Sequence, residues 1–205
     1  GMPIAMALKG KGTEGDNLDG FDETIIHPGL NAIFDFFTRN CNEDGAIKEE
    51  YLEEDARKFL GNATARYIYY LGEKKNGDTI TWENHPACAC DIVREKHVAS
   101  LNTGEQSHIQ MTFEYSDGMG TVLVKKLQAE PDPETGATRW IASGKTILNN
   151  KGKPVKQYEP YFCDSHCFKE SPDVGFPSII YYDAPGRLVR TEMPDKSYSR
   201  VEFSP

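Results

Sequence analysis

The fold turns on "HIQMTFEYSDGMGTVLVKKLQAEP", residues 108–131. Ile109, Met111, Phe113 and Tyr115 alternate with polar residues, the period of a strand with one buried face. Ser116, Asp117 and Gly118 supply turn chemistry, and Val122 and Val124 alternate back. The segment reads as an antiparallel hairpin.

The same grammar repeats on both sides. Upstream, "ATARYIYYLGE" (63–73) runs into "KKNGDTITWEN" (74–84), whose Asn76-Gly77 pair is a strong two-residue hairpin signal. "DIVREKHVAS" (91–100) is a short strand candidate. Downstream, "TRWIASGKTILNNKGKPVKQYEP" (138–160) gives strands around Asn150-Lys151-Gly152. "SIIYYDAPGRLVRTEMPDKSYSRVEF" (178–203) gives a last hairpin on Asp183, Pro185 and Gly186, with a further turn at Pro194-Asp195-Lys196. No strand alternates with a helix of crossover length, so a parallel sheet is not expected and an antiparallel meander is, from about residue 62 to residue 205.

Residues 21–61 read differently. Leu30, Ile33, Phe34 and Phe37 recur at helical spacing behind Pro28, a residue suited to a first turn. Ile47, Tyr51, Leu52, Asp55 and Phe59 form a second stripe, and Gly61 stands where a helix should stop. Residues 9–20 hold Gly, Asp and Lys with almost nothing to bury, so residues 1–20 are expected to form a flexible leader; Gly1 before Met2 reads as a cloning remnant. The expected organisation is therefore a leader (1–20), a part with one or two short helices (21–61) and a β segment (62–205) cut from a larger protein.

Composition narrows the partners. A net charge of −9 lacks the basic footprint that a phosphate backbone requires, so nucleic acid is not an expected partner. No apolar run approaches the roughly 20 residues of a membrane-spanning helix. Apolar residues make up 38% and aromatics 11% of the chain, enough for a modest core built on large rings.

Motifs that could carry chemistry are weak. Cys163, His166 and Cys167, with Cys88 and Cys90, are soft metal ligands, but Cys-x-x-His-Cys with Cys-x-Cys is not a standard zinc spacing. Five cysteines in irregular positions are not a disulfide framework. A nucleophile pairing Cys163 or Cys167 with His27, His85, His97, His108 or His166 has no activating neighbourhood in the sequence. Residues 132–136 and 116–120 lack the fixed ligand positions of a calcium loop, and Glu53 with Glu54 reads as a solvated helix face. No catalytic, metal or cofactor-binding residue is assigned, and no enzyme is expected.

Two stretches carry a resemblance. Tyr182, Asp183, Gly186, Arg187 and Leu188 are similar to the Tyr-Asp-x-x-Gly-Arg unit of Rhs proteins, the YD repeat. Residues 115–120, Arg139-Trp140 and residues 149–160 resemble the wall segment of the B component of insecticidal toxin complexes, as do "LGNATARYIYYL" and "REKHV" upstream. The resemblance covers roughly residues 46–205. Thr121 stands where the family usually has Arg, and Lys196 where it has Gly.

The resemblance implies a non-catalytic structural segment of a large secreted or cell-surface shell, wound from antiparallel sheet around a toxic polypeptide. Its partners would be the rest of that shell and the enclosed cargo. Structural roles are expected for Tyr115, Asp117, Gly118, Gly120, Trp140, Tyr158, Tyr182, Asp183, Gly186 and Arg187. The alternative is an extracellular β binding module that recognises a glycan or a protein.

Overall fold

The structure, a computed structural model, describes residues 1–38, 41, 49–82, 85–170 and 175–204. It is mainly β and antiparallel. Three helices, α1 (Glu23–Ile26), α2 (Leu30–Thr38) and α3 (Glu49–Leu60), follow a first short strand, β1 (Ala5–Met6). This is one more helix than expected, α1 being a single turn whose N–H groups at Thr24 and Ile25 donate to the Asp22 carboxylate.

The larger sheet runs β1-β2-β5-β6-β7-β8-β11, with β2 (Ala65–Tyr70), β5 (Ala87–Arg94), β6 (Ile109–Ser116), β7 (Val122–Gln128), β8 (Trp140–Ser143) and β11 (Tyr161–Cys163). Between β2 and β5 the chain makes a separate hairpin, β3 (Glu73–Asn76) and β4 (Thr79–Trp82), closed at the expected Asn76-Gly77 turn. The second sheet runs β14-β13-β12-β10-β9, from β9 (Thr146–Leu148), β10 (Pro154–Tyr158), β12 (Pro177–Tyr182), β13 (Leu188–Glu192) and β14 (Tyr198–Arg200). Each sheet is largely a meander. The chain passes to the second sheet after β8, returns for β11, and leaves again.

The first sheet has one dry face. Ile68 and Tyr70, Cys88, Cys90 and Ile92, Ile109, Met111, Phe113 and Tyr115, Val124, and Trp140 and Ala142 all point to it and are buried. Phe36 and Phe37 of α2 and Leu52, Ala56 and Leu60 of α3 cover them. The buried α3 stripe recurs every fourth residue, as one helical face must; of the residues expected on it Leu52 is buried, while Tyr51, Asp55 and Phe59 are half-buried beside it. Gly61 ends that helix at φ +52°, its N–H donating to Arg57 O at 3.0 Å. Ile47, expected on the stripe, lies outside the described residues.

Two expectations need correction. The apolar face of α2 centres on Phe36 and Phe37, with Ile33 and Phe34 only half-buried at its margin. Phe36 stacks on Phe113 and Phe37 on Tyr70, so ring contacts with the sheet set the helix rotation. Val122 is exposed although Val124 is buried, because a bulge skips Leu123: Tyr115 pairs with Val124 but Ser116 with Val122.

Residues 1–20 are also part of the folded body rather than a free leader. β1 adds to the edge of β2, with Ala5 opposite Arg66. Asp16 is buried; its carboxylate accepts from Thr64 Oγ1 at 2.6 Å and the Val98 N–H at 2.7 Å, and lies 2.7 Å from His97 Nδ1. Burial pushes its pKa up, but these hydrogen bonds and the Arg94 charge outweigh it and hold the carboxyl below the ordinary range. Besides this strand pairing, the anchor is a buried carboxylate, which apolar content could not reveal.

The second sheet is different. Among the described residues, none of its strands contains a buried one. Tyr181, Leu188, Met193 and Tyr198 are exposed along it.

Removing the Asp16 carboxylate should leave its partners unpaired in a dry site. Asp16→Ala is expected to lower stability by about 3 kcal/mol, read by urea denaturation. A loss below about 0.5 kcal/mol would show that residues 1–20 are not anchored through this side chain.

Candidate functional site

The residues expected to carry structural roles fall into two constructions, a repeated turn and a ring cluster. Among the described residues the turn occurs four times with one hydrogen-bond plan. At Asp117 the residue's N–H donates to the Thr121 carbonyl and the Gly120 N–H donates back to the Asp117 carbonyl, at 3.0 and 3.1 Å. Asn149 with Lys153 and Gly152, Asp183 with Arg187 and Gly186, and Met193 with Ser197 and Lys196 repeat it. In the first three, the Asx side-chain oxygen also accepts the N–H of the fifth residue, at 2.8, 3.0 and 2.7 Å. The plan requires a left-handed fourth residue: Gly120, Gly152 and Gly186 have φ of +83°, +71° and +90°.

Lys196, which stands where the resembled family has Gly, occupies the same position at φ +70°. It is the non-glycine residue in this region among those described. Gly118 is not left-handed and a Cβ there would meet open space, so the turn requires Gly120 and not Gly118. Arg187 Nε donates to Asp183 Oδ2 at 2.8 Å within its own turn, and its guanidinium lies over the Phe203 ring. Tyr182 donates its hydroxyl hydrogen to Pro154 O at 2.9 Å, tying β12 to β10. Tyr158 lies near Tyr161, where the chain passes from one sheet to the other.

Tyr115 and Trp140 belong to the ring cluster. Both are fully buried, and His166 is packed between Phe113, at 4.5 Å between ring centres, and Trp140, at 5.5 Å. The loop that carries His166 is held from several sides. Tyr115 donates to His166 O at 2.8 Å, Lys126 Nζ to Ser165 O and Cys167 O, and Lys145 Nζ to Lys169 O. A disulfide joins Cys167 to Cys41, just beyond α2. Desolvation, with the Lys126 charge second, pulls the His166 pKa down to about 3, so the imidazole is neutral.

This geometry revises the cysteine reading. The chain does use a disulfide, between residues 126 positions apart, a pairing that local spacing cannot show. Cys88 and Cys90 lie buried in β5, where burial pushes both thiols up and away from thiolate character. Among the described residues, the ligand atoms that converge belong to Cys41, His166 and Cys167, and not to Cys163 with the β5 pair. Cys167 is oxidised and offers no thiolate nucleophile. Lys126 is the residue whose role was missed although its signal was present: it continues the inward phase of Val124, and a lysine there must find carbonyls.

Beside the loop lies a cleft of about 690 Å³ lined by Lys126, Arg139, Lys145, Tyr161 and Phe162, with Asp132 and Asp164 also facing it. The Arg139 guanidinium lies over the Phe162 ring at 4.3 Å. Both buried lysines are spent on loop carbonyls.

No protein-family model matches the chain, and no curated protein matches it. Solved structures do. TcdB2-TccC3 superposes with a TM-score of 0.54 at 18% identity, over 70% of this chain and 7% of the other. The chain shares its fold with a segment of TcdB2-TccC3. TcdB2-TccC3-Cdc42 gives a TM-score of 0.48 at 18% identity, over 83% of this chain and 9% of the other. The Photorhabdus luminescens Tc holotoxin pore gives 0.44 at 17%, over 92% and 9%. The chain thus spans less than a tenth of the length of each chain it matches. The fold implied by the sequence resemblance is the fold found.

The turn positions make a paired prediction. Gly186→Ala places a Cβ on a left-handed backbone, about 3.0 Å from Lys153 Nζ, and should cost about 1–2 kcal/mol. Lys196→Gly removes the same strain and should gain up to about 1 kcal/mol. Denaturation of both variants tests the plan, and effects of the same sign would refute it.

Proposed function

We propose that this chain is a non-catalytic wall element of a large secreted, toxin-complex-like shell that encloses a toxic polypeptide. The observation that carries the reading is the second sheet, whose five strands bury no residue among those described while Tyr181, Leu188, Met193 and Tyr198 remain exposed. A sheet of this size gains stability by covering a face, so these strands have the character of a surface to be continued by more chain. The recurring four-residue turn supports the same reading, since one short motif can extend such a sheet without limit. The fold shared with a segment of TcdB2-TccC3 also supports this reading.

In this reading Tyr115, Trp140 and Tyr182 fix strands, and Asp117, Gly120, Asp183 and Gly186 fix turns. The partners are the remainder of the shell and its cargo. The net charge of −9 disfavours nucleic acid as cargo or partner. A second reading, a binding module for a glycan or protein, is favoured by the cleft beside Phe162 and Arg139.

Electron cryomicroscopy of the protein purified from its source distinguishes the two. The wall reading predicts a hollow particle with this segment in its wall and separate density inside. A small solid particle without an interior would refute it and leave the binding module.

A further inference from the structure

The disulfide cluster has chemistry that a wall element does not need. Cys41, His166 and Cys167 present two sulfurs and an imidazole nitrogen within 4.8 Å of one another. The His166 ring is fully buried; its Nε2 lies 3.7 Å from Cys41 Sγ, and its Nδ1 has no hydrogen-bond partner among the described residues. A buried imidazole with so little hydrogen bonding is costly, because the interior offers no water in its place.

We propose that in the reduced protein Cys41, His166 and Cys167 form a binding site for a soft divalent cation of the zinc class. The fastening of α2 to the loop then passes from a covalent bond to a metal ion. A dithiol reductant delivers two electrons to the Cys41–Cys167 bond, which breaks. Two protons pass to the sulfurs, and the reductant closes its own disulfide. Zn²⁺ then displaces the two thiol protons to solvent and forms two Zn–S bonds and one Zn–N bond. The fourth tetrahedral position is left to water.

The local arrangement suits this exchange. Zn–S bonds of about 2.3 Å place two thiolates roughly 3.8 Å apart, a small separation from bonded contact, and Zn–N of about 2.0 Å fits an imidazole already against the sulfurs. Two thiolates and one Zn²⁺ sum to zero charge, which a half-buried site tolerates. Lys126, bonded to the Ser165 and Cys167 carbonyls, holds the loop in place while the bond opens. Tyr115 and Lys145 hold it independently. The loop side of the cluster is therefore held without the disulfide, and Cys41 is held from α2 by its N–H, which donates to Thr38 O at 2.9 Å. This inference does not depend on the wall reading.

The test uses the whole chain, reduced with dithiothreitol, freed of reductant under anaerobic conditions and titrated with Co²⁺ as a spectroscopic substitute for zinc. Expected is one Co²⁺ per chain with thiolate-to-cobalt charge-transfer bands, absent from the oxidised protein. Cys41→Ser and Cys167→Ser should each abolish the bands, and Cys90→Ser should keep them. In unmutated protein, one equivalent of Zn²⁺ should protect Cys41 and Cys167 from alkylation while Cys163 still reacts, read by peptide mass spectrometry. The proposal is overturned if reduced protein binds no stoichiometric metal, if it unfolds on reduction, or if the protection that zinc adds falls on Cys163 instead of Cys41 and Cys167.

Discussion

A β-sheet stands on its own only when one face is taken out of water, and this chain meets that condition once. The first sheet is covered by α2, α3 and the loop from residue 163 to 170, and its central rings, Phe113, Tyr115 and Trp140, are fully buried. Each such ring contributes about 1.5–3 kcal/mol by leaving water, with up to about 1.5 kcal/mol more from each well-placed ring contact. Among the described residues the second sheet has no comparable cover. Its order rests on ladder hydrogen bonds, turn geometry and side-chain links such as Tyr182 to the Pro154 carbonyl.

The cover of the first sheet is itself held by polar groups. His166 fills the space between Phe113 and Trp140, yet its loop would not stay there by packing alone. Tyr115, Lys126 and Lys145 each donate to a loop carbonyl, so buried donors and acceptors satisfy one another. Asp16 does the same for the opposite margin of the sheet. Aromatic packing supplies most of the stabilisation, and these few buried polar contacts decide which segments pack.

How much of this could be read in the sequence follows from the range of each signal. Strands with period-two patterns, such as β6, and turns with Asx and Gly at fixed offsets are local, so they were legible. The left-handed place of Lys196 was legible only as a departure from a resembled motif. Asp16, Lys126, His166 and the Cys41–Cys167 bond act across 39 to 126 positions of chain, and composition gives no hint of their partners. The expected stripe of α2 included Phe37 but omitted Phe36, which stacks on Phe113 of the sheet, a contact that helical spacing alone cannot locate.

One sheet is buried on a face, and in the proposed wall reading the other is completed by neighbours. Hydrogen–deuterium exchange of the chain, resolved by peptide, tests it most directly. The account predicts that β5, β6 and β7 exchange only through global unfolding, while β12, β13 and β14 exchange through local opening orders of magnitude faster. Equal protection of the two sheets would contradict it and show that the second sheet is complete as it stands.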